Sequence, residues 1–150
     1  MIAQRRQKQT DAEKKRAYEA ATIRDEDLCQ KCLRDCGRGV TSRHHRQPRD
    51  AFNSIVSNLV VLGGTGTTGC HGFVTAHSRD AIAQGWAMPR HTTIVPSEWP
   101  ARRWLPTGYG TVRLAWVLYL DAPDQGVWWV EISDAEASKR MSNAGWEAAA

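Results

Sequence analysis

The distribution of hydrophobic and polar positions predicts both helix and strand in this chain. Residues 1–24 consist mainly of Ala, Gln, Glu, Lys and Arg and carry almost no apolar stripe, so we expect a frayed helix or a disordered arm there unless something binds it. Two runs of strand type, Val40–Arg46 and Ile55–Leu62, flank a polar loop. After a glycine-threonine loop, Cys70–Gln84 has helical character, and Gly85 is placed to end that helix.

A proline-rich segment separates this half of the chain from the next. Residues 86–106 contain four of the six prolines, which indicates an extended, irregular strap. Beyond it, Arg113–Leu120 and Gly126–Ile132 predict a β-hairpin rich in Trp, Val, Leu and Tyr. Ser133 and Glu136 have the spacing of a capping box and predict the start of a short final helix. This order of elements indicates an α+β fold.

Composition narrows the class of protein. The chain has 150 residues, of which 41% are hydrophobic and 24% charged, as is ordinary for a globular protein with one core. No apolar run approaches the roughly 20 residues that a membrane-spanning helix needs. The N-terminal residues contain no hydrophobic stretch of the kind found in secretory signals. We therefore expect a cytoplasmic protein without a membrane partner, whose thiols stay reduced.

Charge is unevenly distributed, and the net charge of +4 conceals this. Residues 1–24 carry +4, residues 25–30 carry −3, residues 31–113 carry +7 and residues 114–150 carry −4. A basic middle segment is typical of a protein with a polyanionic partner, because neutralising phosphates releases counterions. A solvated basic face that binds nothing is the alternative interpretation.

The chain has four cysteines, three within this basic segment and Cys29 just before it. Cys29, Cys32 and Cys36 fall within CQKCLRDC, and Cys70 falls within GTTGCHG. In a reducing compartment, cysteines at such spacing indicate metal ligands rather than disulfides.

Several short motifs then follow one another in a recognisable order. They are the Cys29-x2-Cys32 pair, "HHR", "NLVVL", "GTTGCHG" and the proline-rich strap. In this order and spacing they resemble the HNH endonuclease family, the ββα-metal (His-Me finger) nucleases, and most closely the small HNH proteins of phages. The resemblance covers about residues 26–105, which leaves residues 1–25 as a basic helical or flexible arm. Residues 106–150 are left as an appendix of a β-hairpin and a short helix.

The resemblance implies a metal-dependent hydrolysis of DNA phosphodiester bonds. It makes His45 the general base that activates water, and it makes His44 and His71 ligands of one divalent cation, which could be Mg, Mn, Ni or Zn. Asn58 would hold the hairpin so that His45 points at the water. The chemistry suits these residue types, because a neutral imidazole can take a proton at cellular pH and a cation can neutralise charge on the phosphate. Since neighbouring residues on a regular strand face opposite sides, His44 and His45 can share a site only at a strand end or an irregularity.

The resemblance also implies a nucleic-acid surface and a cellular setting. Arg43 and Arg46 are suited to grip phosphate oxygens, and Arg49 and His77 complete the predicted nucleic-acid-binding set. His77 lies about 240° around a helix from His71, so we expect it behind a metal ligand or facing DNA. Double-stranded DNA is the expected partner, with a phage terminase as a further candidate. The setting would be the cytoplasm of a phage-infected cell, in genome packaging or in homing.

Many members of this family carry a structural zinc bound by two cysteine pairs, and here the pattern is incomplete. Zinc in such a site takes four N or S ligands. The resemblance places the partner of Cys70 seven or three residues earlier, where Gly63 and Thr67 stand, and neither binds zinc. Either Cys36 supplies the fourth ligand, which requires its turn to fold back, or the zinc site is lost and packing alone holds the fold.

Two other functions compete with the nuclease. The first is a catalytically silent, zinc-finger-like DNA-binding module, which would need no general base. The second is a protein-docking role for the C-terminal hairpin through Trp116, Trp128 and Trp129. We favour a core position for these tryptophans.

Overall fold

The computed structural model describes residues 6–147 and has the α+β architecture that the sequence predicts. The described residues form four helices and five strands. Their order is α1 (Asp11–Arg24), β1 (Thr41–His45), β2 (Leu59–Gly63), α2 (Gly69–Ala76), α3 (Ser78–Ala83), β3 (Ala101–Pro106), β4 (Val112–Asp124), β5 (Val127–Ile132) and α4 (Asp134–Asn143). The strands form two antiparallel sheets, one of order β1-β2 and one of order β3-β4-β5. No helix within residues 6–147 is both long enough and apolar enough to cross a bilayer.

Helix α1 is capped and packs on the core through a face of small residues, so residues 11–24 adopt the helical alternative of the predicted arm. Thr10 and Glu13 form a reciprocal capping box at its start. Its buried apolar residues are Ala17 and Ala21, which pack against Val56 and Leu59, and Arg24 is buried at its end. An alanine face lets the helix approach closely without presenting the larger apolar residues that a sequence pattern detects. Residues 1–5 of the predicted arm lie outside the described part of the chain.

The first sheet is a hairpin whose second strand forms the centre of the core. β1 and β2 pair antiparallel, with His45 opposite Leu59 and Thr41 opposite Gly63. All five residues of β2 are buried. The strand predicted from residue 55 begins only at Leu59, because a 3-10 turn occupies Val56–Asn58. Arginine side chains, rather than a neighbouring strand, bind the carbonyls of Val56 and Ser57.

The predicted single helix after this hairpin is two short helices. α2 ends at Ala76 and α3 begins at Ser78, with the His77 backbone at φ −119 and ψ 59 between them. Gly85 ends α3 at a positive φ of 74, as the sequence predicts. A side chain could not replace it, because a β-carbon there would collide with the Pro100 carbonyl.

The C-terminal sheet is larger than the predicted hairpin. Ala101–Pro106, predicted as the end of an irregular strap, is β3 and pairs with β4 from Ala101 opposite Val117 to Pro106 opposite Val112. The predicted boundary between residues 105 and 106 therefore falls inside a strand. Ser133 caps α4 by accepting a hydrogen bond from the Glu136 backbone, in line with the sequence.

A buried ionic group joins the three segments that the sequence analysis separated. Asp25 accepts hydrogen bonds from Arg24 and Arg103, and one of its carboxylate oxygens also accepts from the Val61 amide. Burial by itself would raise the pKa of the Asp25 carboxyl, but the bonds and charges of the two arginines outweigh it and lower the pKa. Arg24 and Arg103 both lie over the Tyr119 ring, so residues from α1, β2, β3 and β4 meet at one point.

The tryptophans of the C-terminal part divide between core and partial exposure. Trp116 is buried with Trp99, Met88 and Met141. Trp128 and Trp129 are half-buried and pack against other apolar clusters.

Candidate metal centres

Four cysteine sulfurs lie close together at the N-terminal end of α2. The Sγ atoms of Cys29, Cys32, Cys36 and Cys70 all lie within 4.8 Å of one another. Tetrahedral zinc with Zn–S bonds of about 2.3 Å holds sulfurs about 3.8 Å apart, so a small contraction would close the site around an ion. The cluster can therefore hold a structural metal such as zinc.

The loop that carries Cys36 folds back toward Cys70, which is the first of the two alternatives that the sequence left open. The chain turns after Cys32 with Leu33 at a φ of 55, and it turns again so that Gly37 lies against Gly64. A β-carbon at Gly37 would collide with the Val40 carbonyl and the Gly64 amide, so only glycine allows this approach. The turn brings Cys36 to the end of β2, beside Gly63.

Gly63 is the position where the resemblance places a ligand, and the Cys36 sulfur occupies the space that its side chain would need. An ideal β-carbon on Gly63 would lie 2.3 Å from Cys36 Sγ. The sulfur missing from the end of β2 is thus replaced by one from the cysteine-rich loop, residues 29–36. The sequence-level signal for this exchange is the pairing of an extra cysteine with a glycine at the expected ligand position.

Burial and the neighbouring thiols shift the pKa values of Cys32, Cys36 and Cys70. Burial and bonding to the other thiols raise the pKa of Cys70, and burial also raises the pKa of Cys32. At Cys36 burial acts in the same direction, but hydrogen bonds from the Cys70 backbone and from the other thiols outweigh it and lower the pKa. Metal binding would have to displace protons from thiols that burial keeps protonated, which makes its affinity dependent on pH.

A second cluster lies between β1 and α2, where His44 and His71 come together. Their ring centroids are 5.0 Å apart with the planes at 68°. His71 Nδ1 lies 2.5 Å from Ser42 Oγ, while His44 Nε2 is buried and has no hydrogen-bond partner within residues 6–147. Burial and the neighbouring His71 lower the pKa of His44 to about 3, and burial lowers the pKa of His71. Both rings are therefore neutral at neutral pH and have lone pairs available to a cation.

His45 lies on the other face of β1. Its Nε2 is 3.0 Å from Ser54 Oγ, and the Tyr18 ring of α1 meets it edge-on at 6.0 Å between centroids. Burial, with the charge of Arg49, lowers the pKa of His45 to about 4, so it is neutral at neutral pH. His45 is the last residue of β1, the one place where consecutive side chains could turn toward a common substrate.

Asn58 is fully buried and holds the loop that follows β1. Its Oδ1 accepts from the Gln47 amide at 2.7 Å, and its Nδ2 donates to the carbonyls of Asn53 and Gln47. The loop also carries Ser54, whose backbone is bonded on both sides by the Gln9 side chain. Neither Ser54 nor Ser42 was predicted as a site residue, although Ser42 is two residues from His44 and shares its side of the strand.

Arg46 is wrongly assigned to nucleic acid by the sequence analysis. It is 1% exposed, and its guanidinium donates to five backbone carbonyls, those of Ser57, Gly85, Pro96, Trp99 and Pro100. Burial lowers its pKa to about 10, so it is still charged at neutral pH, but its donors face the interior. It fastens the strap to the hairpin and cannot reach a phosphate.

The other predicted nucleic-acid residues lie nearer the surface. Arg43 is half-buried and bonds Thr22 and Asp27. Arg49 is exposed and donates to the Tyr18 hydroxyl. His77 is exposed and stacks on Phe73 with ring centroids 4.1 Å apart.

Comparison of the chain with protein-family models, with curated proteins and with solved structures finds no match.

Proposed function

We propose that this protein is a metal-dependent HNH-type endonuclease with a ββα-metal core, and that it hydrolyses phosphodiester bonds of double-stranded DNA. The observation that carries the proposal is the buried Nε2 of His44 beside His71, which has no hydrogen-bond partner in the part of the chain that the structure describes. An imidazole nitrogen buried without a partner is costly in a protein that has no use for it, and a divalent cation between the two rings would satisfy it. The arrangement of a β-hairpin followed by a helix supports the same proposal.

His44 and His71 would hold one divalent cation at this site. When bound, the cation would neutralise charge on the scissile phosphate and on the leaving oxygen. The two rings contribute by staying neutral at cellular pH, because burial keeps their pKa values low. Their surroundings exclude competing water from the His44 nitrogen.

His45 is the proposed general base. It is neutral at neutral pH, and with Nε2 directed to Ser54 its other nitrogen, Nδ1, remains to take a proton from water. Asn58 acts at a distance from the reaction by fixing the loop that carries Ser54. The four-cysteine cluster would bind a structural zinc that ties α2 to the cysteine-rich loop.

The experiment is a plasmid relaxation assay with Mg²⁺, Mn²⁺ or Ni²⁺ added to the purified protein. Wild type should convert supercoiled DNA to nicked or linear forms, and His44→Ala and His45→Ala should each lower the rate at least about 100-fold. His91→Ala is the matched control, because His91 is exposed and lies in the strap. Undiminished cleavage by His45→Ala would refute the assignment of the base, and no cleavage by wild type with any of the metals would refute the nuclease.

A catalytically silent DNA-binding module is the second candidate. The observation that favours it is the position of His45, whose ring contacts Ser54 and Tyr18 on the side of β1 away from His71. Such a module would bind DNA in a salt-dependent way through the basic segment and leave it intact. A gel-shift titration run beside the cleavage assay separates the two, because only the module binds without cutting in the presence of metal.

A further inference from the structure

Ser42 makes two hydrogen bonds, and together they determine which nitrogen of His71 carries its proton. Its Oγ lies 2.9 Å from the Gly64 carbonyl and 2.5 Å from His71 Nδ1. A hydroxyl has one proton to donate, and a carbonyl can only accept. The Ser42 proton therefore goes to Gly64, so Ser42 accepts from His71, and neutral His71 has its proton on Nδ1 and its lone pair on Nε2.

The Gly64 carbonyl, which accepts the Ser42 proton, is held in place by the backbone. Gly64 adopts a φ of 91, and its amide donates to the Val40 carbonyl at 2.7 Å. A β-carbon at Gly64 would collide with the Thr68 carbonyl, so the tight turn requires glycine. The Gly64 carbonyl thus presents a constant acceptor to Ser42.

The His44 ring lies beside that of His71, with the ring centroids 5.0 Å apart. Its Nε2 is buried and has no hydrogen-bond partner among residues 6–147. A cation bound through the Nε2 lone pair of His71 would therefore find a second imidazole nitrogen in the same cluster.

We propose that Ser42 is a positioning residue that locks His71 in the Nδ1–H tautomer, so that His71 offers its Nε2 lone pair to one divalent cation beside the buried Nε2 of His44. The cation part of this inference rests on the proposed function, whereas the tautomer part rests on the hydrogen bonds alone. Residues that orient a metal-binding histidine through its second nitrogen typically change metal affinity about 10- to 100-fold when they are removed.

The test is the tautomeric state of His71, read from imidazole ¹⁵N–¹H spectra of the metal-free histidine site at a pH where the ring is neutral. His71→Gln assigns the signal. Wild type should give the Nδ1–H pattern, Ser42→Ala should lose it in favour of Nε2–H, and Ser42→Thr, which keeps the hydroxyl, should restore it. Unchanged zinc content and unfolding midpoint in Ser42→Ala would show that the fold is intact.

Calorimetric titration with Mn²⁺ or Ni²⁺ tests the consequence. Ser42→Ala should bind about 10- to 100-fold more weakly than wild type, with Ser42→Thr close to wild type. A Ser42→Ala protein that keeps the Nδ1–H pattern, or that binds the metal as tightly as wild type, overturns the inference. If wild type binds neither metal while its tautomer responds to Ser42→Ala as stated, the cation site of the proposed function fails and the role of Ser42 in setting the tautomer stands.

Discussion

A single methyl group at Gly63 should disrupt the four-cysteine cluster. The β-carbon of Gly63→Ala would lie 2.3 Å from Cys36 Sγ, whereas ordinary contacts begin at about 3.4 Å. The sulfur must therefore retreat by at least about 1.1 Å. The backbone itself accepts alanine, because Gly63 lies on β2 and is absent from the positive-φ residues of the described chain. The steric clash thus decides the sign of the effect.

The magnitude follows from the ligand that is displaced. Zinc–ligand distances tolerate deviations of only about 0.2 Å, so a sulfur moved by an ångström no longer binds. A structural zinc contributes roughly 10–16 kcal/mol to folding, or about 2.5–4 kcal/mol for each of four ligands. Gly63→Ala should therefore weaken zinc binding roughly 60- to 1,000-fold and lower the free energy of unfolding of the zinc-loaded protein by about 2.5–4 kcal/mol.

The assay measures zinc per protein chain, the rate of zinc loss to a chelator, and urea-induced unfolding. Gly66→Ala is the matched control, because a β-carbon there meets nothing within 4 Å among the described residues and its φ lies outside the left-handed region. We expect Gly66→Ala to behave as wild type in all three measurements.

A double-mutant cycle with Cys36→Ala identifies the cause. Once the sulfur is removed, the nearest atom to the alanine β-carbon at Gly63 is the Gly37 nitrogen at 3.2 Å, so the second substitution should cost less than about 1 kcal/mol. The reasoning is refuted if Gly63→Ala keeps a full equivalent of zinc with wild-type resistance to the chelator. It is equally refuted if its cost is the same with and without the Cys36 thiol.

Three further predictions concern the ligand exchange and the buried charges. Cys36→Ala should lose zinc, and adding Gly63→Cys should restore it by supplying a sulfur from the end of β2; zinc content of the single and double variants decides this. Arg46→Met should destabilise the fold by about 3–5 kcal/mol in urea unfolding, because five carbonyls lose their donor, whereas Arg49→Met at the surface should change stability little. Equal stability of these two variants would contradict the buried role of Arg46. Asp25→Asn should be about 3–5 kcal/mol less stable than wild type at pH 7, since it leaves two arginines unpaired. Because the folded pKa of Asp25 is lowered, the stability that its carboxylate contributes is present above the unfolded pKa of about 3.9 and is lost as pH falls through the folded pKa. The difference in unfolding free energy between wild type and Asp25→Asn should therefore narrow below about pH 4. A difference that does not change with pH would contradict the assignment.

Local signals in the sequence predicted the elements that depend on a few neighbouring residues. The hairpin of β4 and β5, the Ser133 cap of α4 and the stop at Gly85 all depend on side chains or backbone preferences within a turn or two. The β1–β2 hairpin was predicted for the same reason, although its second strand starts later because distant arginines bind the carbonyls just before it.

The signals failed where partners lie far away in the chain. Arg46 stands in a basic stretch that reads as a phosphate grip, yet its five carbonyl partners are 11 to 54 residues distant. Helix α1 lacks an apolar stripe, yet its alanines fit a surface made by Val56 and Leu59. The hydrophobic pattern of a short stretch of sequence cannot predict either contact, because both depend on which distant segments the fold brings together.

The candidate sites divide along the same line. The amino-acid sequence by itself determined which residues can bind a metal, four cysteines and a set of histidines, because ligand chemistry belongs to the side chain. Only the tertiary structure decided that Cys36 takes the place beside Gly63, that His44 faces His71, and that His45 faces Ser54. A ligand set is a matter of distances between atoms from separate segments, and those distances exist only once turns such as the one at Gly37 have closed.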